Sequence, residues 1–349
     1  MSTLLKKILG LTLLLISLNL SAQNVPMDYS YCGYHRSEKP IPNAEVVIKL
    51  PCTKGDSYYL IQNAIDYVSS LTPDKETGMR GVVLLPKGLY EISRPLRISA
   101  SGVVLRGADR NETIIRKTGW DRGAAIYIEG VDDRQYGEPI DINDELIKAG
   151  SIKLPLRGKD LKQGDEIVIV RPSTKEWIES LNCQSFGGGK ELGFWGWHPG
   201  EIDIRWNRQI LSISADSIEL DAPLTTAIEK RWGGAKMMKY TWNGRVCESG
   251  VEQLTVESDY DRSLPMDEDH CWDGIYIANA RNCWVRLVNF RHFAGSAVVV
   301  KESSEQVTVE DCKSYEPVSE IGGMRRRTFY TLGQKTLFQR CYSEHGIHD

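Results

Sequence analysis

The segment from Gly55 to Arg116 constrains this chain most, because its hydrophobic period switches abruptly from helical to strand-like. Leu60, Ile61, Ala64, Ile65, Val68 and Leu71 fall on one face of a helix. From Gly81 onward, short β-branched runs such as Val82-Val83-Leu84-Leu85 and Val103-Val104-Leu105 alternate with glycine and proline breaks. An amphipathic helix placed before a stack of parallel strands covers the first open edge, whose unpaired backbone groups would otherwise recruit another chain. The pattern predicts a β-solenoid opened by a capping helix.

A repeat recurs near the other end. Val285-Arg286-Leu287 and Val307-Thr308-Val309 are about 22 residues apart, the length of a rung with three short strands and three bends. Rungs stacked about 4.8 Å apart place equivalent residues in rows. Arg286, Thr308 and Leu337 are expected in one outer row, with Val285, Val307, Leu287 and Val309 inside. Longer intervals put insertions at the bends, over residues 259–273 and 314–335, and make these the segments to inspect for function.

Several strings resemble the pectate-lyase-like (pectin-lyase fold) family of right-handed parallel β-helices. They are Gly55-Asp56, Ile61-Gln62-Asn63-Ala64-Ile65-Asp66, Val83-Leu84-Leu85-Pro86-Lys87-Gly88-Leu89-Tyr90 and Val103-Val104-Leu105-Arg106-Gly107-Ala108. Ser57 departs from the family's usual pattern after Asp56. The resemblance implies an all-β, right-handed parallel β-helix with an N-terminal capping helix. It does not choose a reaction, since such a fold carries lyases, hydrolases, epimerases and non-catalytic adhesins.

The expected organisation has four parts. Residues 1–22 read as a signal peptide: Lys6 and Lys7 precede the apolar run Ile8 to Leu20, and Ser21-Ala22-Gln23 follows. Residues 23–150 hold an N-terminal arm, the capping helix and the first coils. Residues 151–240 change grammar, with a strand at 164–170 and a hairpin over 210–220, and read as an inserted small antiparallel β subdomain. Residues 241–349 hold the later coils. The chain stops just after a strand without a cap, so a truncated C-terminal end is expected.

A signal of this kind points to a secreted or periplasmic protein with no membrane span once the signal is removed. The formal net charge of −4, with both signs interspersed, argues against nucleic acid as a partner. None of the eight cysteines forms a CxxC pair, and most read as buried thiols. Cys32 with Cys52 is the best bridge candidate, tying the arm to the start of the solenoid.

Two constellations carry candidate chemistry. The first is the acidic stretch from Glu257 to Asp273, where Asp267, Glu268 and Asp269 could hold Ca2+, a hard cation that takes oxygen ligands. Within it His270 sits among acids beside Trp272, which reads either as a sugar-stacking platform or as core. The second joins Arg286, His292 and Lys301 to Arg325, Arg326, Arg327 and Tyr330, whose guanidiniums suit a carboxylate or sulfate. Trp197 in the insert reads as a groove wall or as part of that subdomain's own core.

Lyases of the resembled fold need a cation facing a uronate carboxylate, a base near the C5 proton and an acid near the glycosidic oxygen. Here the cation is Ca2+ or Arg325–Arg327, the base His270 or Lys301, and the acid Tyr330 or His292. The leading expectation is therefore an exported polysaccharide lyase cleaving an acidic polysaccharide by β-elimination. Its rivals are a glycoside hydrolase built on Asp269 and Asp273, and a non-catalytic carbohydrate-binding or adhesive β-helix.

Overall fold

A computed structural model describes residues 27–158, 160–187 and 195–347. The signal segment 1–22 lies outside these residues, as does the part of the insert's glycine-rich loop at 188–194. The chain divides into two compact units: one holds Tyr136–Thr241, the other Ser30–Gln135 and Trp242 onward. Among the described residues no helix is long and apolar enough to cross a membrane.

The second unit is a right-handed parallel β-helix with three faces. Face 1 stacks Val46–Lys49, Gly81–Leu85, Val103–Gly107, Gly250–Glu252, Trp284–Arg286, Thr308–Glu310 and Leu337–Gln339. Face 2 stacks Gly88–Ile92, Thr113–Lys117, Thr255–Ser258, Asn289–Arg291, Lys313–Tyr315 and Tyr342–Ser343. Face 3 stacks Leu96–Ile98, Ala124–Glu129, Asp273–Ala278, Val298–Val300 and Phe329–Thr331. Inward rows are apolar and fully buried, as in Leu105, Val251, Val285 and Val309 of face 1. The helix Tyr58–Ser70 caps this core with Ile61, Ala64, Ile65 and Val68.

The observed register corrects the rows expected from the repeat. Val285 pairs with Val309 rather than Val307, and Arg286 with Glu310 rather than Thr308. The corner after face 1 explains the offset. Gln253, Leu287, Asp311 and Arg340 each take a left-handed conformation there, with φ between 52° and 57°. A left-handed residue breaks strand alternation, so Leu287 sits at the bend, half-exposed, and Val288 takes the inner place. Trp284, Thr308 and Leu337 form the actual outer row.

That row is covered. Residues 33–45 run down face 1 as a strap, from the last rungs to the first, where the chain joins the sheet as the strand Val46–Lys49. The Gly33 amide donates to Lys335 O at 2.8 Å and the Tyr34 amide to Thr308 Oγ1 at 2.7 Å. Farther along, Arg286 donates to Pro42 O and Arg106 to Ala44 O, and Glu45 O accepts from the Val82 amide. Cys52 ends against Gly88 and Leu89 of the first rung. Cys32, next to Gly33, therefore lies at the opposite end of the stack, and neither cysteine is disulfide-bonded. The expected Cys32–Cys52 bridge does not form.

The other unit is antiparallel. Lys153–Pro155, Ser217–Leu220, Ile204–Ile213, Glu166–Arg171 and Ala235–Thr241 pair in that order, and Ile140–Ile142 adds to Ala235–Met237. Its own core contains Leu154, Ile167, Ile169, Trp206, Ile210 and Met237. Ala215 and Asp216 make the hairpin turn, closed by the Ser214 amide donating to Ser217 O.

Candidate functional site

The strap decides the place of Arg286. Its Nε donates to Glu252 Oε2 at 2.6 Å, and Glu252, fully buried, also accepts from Arg106 Nε and from Trp284 Nε1 at 3.0 Å. Arg286 thus holds face 1 to the strap and is not open to substrate.

The acidic loop is largely satisfied internally. Asp267 accepts the amides of Asp261 and Asp269 on its two oxygens. Glu268 takes a two-pronged contact from Arg325, and this hydrogen bonding holds its carboxyl below the usual range. Asp269 pairs with Arg122 at 2.9 Å. These three carboxylates point to three different partners, so they do not fit Ca2+. Among the described residues no group of three or more acidic, histidine or cysteine side chains converges as a metal ion would require.

His270 is 1 % exposed. Its Nδ1 lies 2.8 Å from Ser258 Oγ, and its Nε2 is 3.0 Å from Val318 O and 3.1 Å from Asp267 O. Two carbonyl oxygens at Nε2 require the proton there, and Nδ1 is engaged by the Ser258 hydroxyl. With both nitrogens committed, His270 joins the two inserted loops and is not a base facing substrate. His292 is nearly as buried, with Nε2 at 3.3 Å from Glu316 and its ring edge on Tyr260.

The arginine run divides by partner. Arg325 closes on Glu268 and lies 5.8 Å from the Trp272 ring, which Arg122 also approaches at 5.5 Å. Trp272 donates its Nε1 hydrogen to Glu268 O at 3.0 Å and is a structural pillar of the loops. Arg326, with φ 54°, turns back onto Ser319 Oγ and O, and burial lowers its pKa. Arg327 lies over the Tyr330 ring at 5.1 Å and pairs with no carboxylate among the described residues. In the antiparallel unit Trp197 stacks on Trp177 at 6.0 Å with Phe186 edge-on, so it belongs to a local aromatic cluster.

Beside the acidic loop is a pocket of about 250 Å³ lined by Trp120, Tyr260, Asp259, Asp261, Asp267 and Asp269. Four carboxylates around one small opening repel a polyanion, so an acidic chain would not enter it.

Face 3 offers a different surface. Register places Arg97, Tyr127, Tyr276, Val299 and Tyr330 in one outward row. Arg97 sits 4.2 Å from the Tyr127 ring centre, and Tyr127 and Tyr276 have centroids 5.3 Å apart. Tyr127 and Tyr276 point out because each interrupts a buried pair, Ile126 with Ile128 and Ile275 with Ile277. Lys301 follows Val300 directly and reaches Tyr276 and Asp273 electrostatically. At the start of the row, Asp273 accepts the Ser296 amide at 2.8 Å, yet burial pushes its carboxyl up to about 6. The Tyr127 hydroxyl accepts the amide of Ala124, the residue paired with Asp273.

Of the residues singled out in the sequence, face 3 holds Tyr330, with Arg327 over its ring, and Lys301, which interacts electrostatically with Asp273 of the hydrolase pair and pairs with Glu302 at 3.4 Å. Arg97, Tyr127 and Tyr276 were not singled out. The signal for them was the repeated isoleucine-tyrosine-isoleucine triplet at 126–128 and 275–277.

These rows define the class of molecule, a parallel β-helix protein with one strapped face and one tyrosine-lined face. No family model and no curated protein matches the chain. Among solved structures it is similar to an iota-carrageenase of A. fortis, with 10 % identity, TM-score 0.40, and coverage of 93 % of this chain and 47 % of that one. It is also similar to the mannuronan C-5 epimerase A-module of Azotobacter vinelandii, at 13 % identity and TM-score 0.34 over 82 % of this chain and 46 % of that one. The tailspike of Pseudomonas phage phi297 gives 13 % and 0.35 over 81 % and 43 %. The chain spans less than half the length of each of these three structures.

Proposed function

We propose that this is an exported carbohydrate-active protein whose face 3 receives an acidic polysaccharide and cleaves it by β-elimination. The observation that carries this reading is the outward row Arg97–Tyr127–Tyr276–Val299–Tyr330, with Lys301 and Arg327 beside it. Tyrosine faces suit the apolar faces of pyranose rings, and rungs about 4.8 Å apart repeat on the scale of a sugar residue. The cations suit the carboxylates between those rings.

In this reading Arg327 faces the uronate carboxylate, Lys301 takes the C5 proton and the Tyr330 phenol protonates the leaving oxygen. Neutralising the carboxylate makes the neighbouring C–H more acidic, which is the largest barrier in elimination. No step runs through Ca2+, because the acidic trio does not fit it.

Asp273 favours a second reading, hydrolysis. A carboxyl held near 6 retains a proton close to neutral pH, as a general acid must. Its expected partner Asp269 is exposed and held by Arg122.

Incubation with a panel of uronate polysaccharides separates the readings. Ultraviolet absorbance from a conjugated unsaturated uronate is expected, with its loss in Lys301→Ala and Tyr330→Phe. New reducing ends without that absorbance would replace elimination by hydrolysis. Retention on the polymer with neither product would leave a binding protein.

A further inference from the structure

Cys312 and Cys341 occupy the same inner position on successive rungs. Each precedes a face 2 strand, and the pairing of Lys313 with Tyr342 puts one directly over the other. The Tyr342 amide donates to Cys312 O at 2.9 Å, which locks the register. The row continues below through Val288 and Leu254, both fully buried, so the cysteines replace two aliphatic residues of the core. Adjacent parallel strands hold in-register Cα atoms about 4.8 Å apart. That lies within the span of roughly 4.4–6.8 Å that a disulfide bridges.

The pair is also chemically asymmetric. Cys312 is fully buried, and Cys341 is half-buried. The Cys312 thiol lies against the Cys341 sulfur, and this hydrogen bond draws the Cys341 pKa down to about 7, while burial pushes Cys312 up. The more accessible sulfur is thus the better nucleophile near neutral pH, with a resolving thiol beside it. Cys247 and Cys283 show the contrast: Cys247 pairs in register with Arg281, so Cys283 is displaced along the chain.

We propose that Cys312 and Cys341 form a modification site for low-molecular-weight disulfides, at which a disulfide donor closes a bridge between two rungs. The Cys341 thiolate attacks one sulfur of the donor, forming a mixed disulfide and expelling the donor's other half as a thiolate. Cys312 then loses its proton and attacks Cys341 Sγ, releasing the second half. The two protein thiols are oxidised, and the donor takes up two electrons and two protons as two thiols. The bridge ties the corner between faces 1 and 2 across consecutive turns.

The full chain, purified reduced and incubated with oxidised glutathione at mildly alkaline pH, provides the test. Alkylation followed by non-reducing digestion and mass spectrometry should show a peptide pair joined through Cys312 and Cys341. Two of the eight thiols should become unreactive, without retained glutathione. In Cys312→Ser the resolving thiol is gone, and glutathione should stay on Cys341. The proposal is overturned if both residues remain alkylatable in the unsubstituted chain, if glutathione persists on Cys341 there, or if Cys341 joins another cysteine. The decisive mapping needs no variant, so a folding defect in the serine form cannot rescue the idea.

Discussion

Tyr276 stands one rung from Tyr127 on the outer side of face 3, their ring centroids 5.3 Å apart and their planes tilted by 53°. Both rings are half-buried, and burial raises the Tyr276 pKa while Lys301 opposes the rise. Tyr276 therefore keeps a neutral hydroxyl at ordinary pH, and the pair presents aromatic surface.

Replacing Tyr276 with alanine should weaken binding of an acidic polysaccharide by about threefold to tenfold, on the scale of roughly 0.5–1.5 kcal/mol for one aromatic contact. Isothermal titration with the unsubstituted protein alongside checks it. Equal affinity in a folded variant would remove face 3 from consideration.

Arg326 and Arg327 should respond oppositely to alanine. Arg326→Ala frees Ser319 and is expected to lower stability while leaving affinity intact, whereas Arg327→Ala is expected to lower affinity at unchanged stability. Urea melts and binding isotherms on the same two variants separate the roles.

Gly250 is the seat of Trp284. A Cβ there would come 2.4 Å from the indole, beneath the strap where the ring cannot swing away. Gly250→Ala should cost about 1–3 kcal/mol through overpacking. A lower urea midpoint measures it, and an unchanged midpoint would mean that the strap yields.

Glu305 is buried among Arg245, Arg281 and Lys335, at 2.9, 3.6 and 3.1 Å. Burial alone would raise its pKa, but these cations outweigh it and lower the carboxyl to about 2. A carboxyl depressed on folding contributes stability that is present above its unfolded pKa and lost as pH falls through its folded one. The contribution, on the order of 3 kcal/mol, should disappear between about pH 4.5 and pH 2. Glu305→Gln should flatten that part of the stability profile measured by denaturant titration.

His270→Ala should act on structure. It leaves Val318 O, Asp267 O and Ser258 Oγ without their shared partner, at about 1–3 kcal/mol for buried groups left unpaired. Faster proteolysis within 259–272 and 316–328 is the expected readout. Turnover lost in a variant whose loops resist the protease as before would return His270 to the chemistry.

How far the molecule was legible depends on the range of the interaction. The capping helix was readable because Ile61, Ala64, Ile65 and Val68 repeat within a few positions. The tyrosine row was half readable: the Ile126-Tyr127-Ile128 and Ile275-Tyr276-Ile277 triplets show which way each ring points, but not that they are neighbours. The register slipped because left-handed corners at Gln253, Leu287 and Asp311 leave no pattern in residue type. Glu268 and His270 read as chemistry because residue type says nothing of partners that arrive from residues 318–325.

The amino-acid order alone determined the β-helix, its capping helix and its antiparallel insert, since hydrophobic period is local and survives in one dimension. Only the tertiary structure decided which face is closed and which is open. Residues 33–45 cross rungs distant in the chain, and that contact turns Arg286 from a candidate ligand into a strap fastening while leaving the tyrosines of face 3 half-exposed. Such contacts arise from strand register summed over many residues, which no short stretch of the sequence contains.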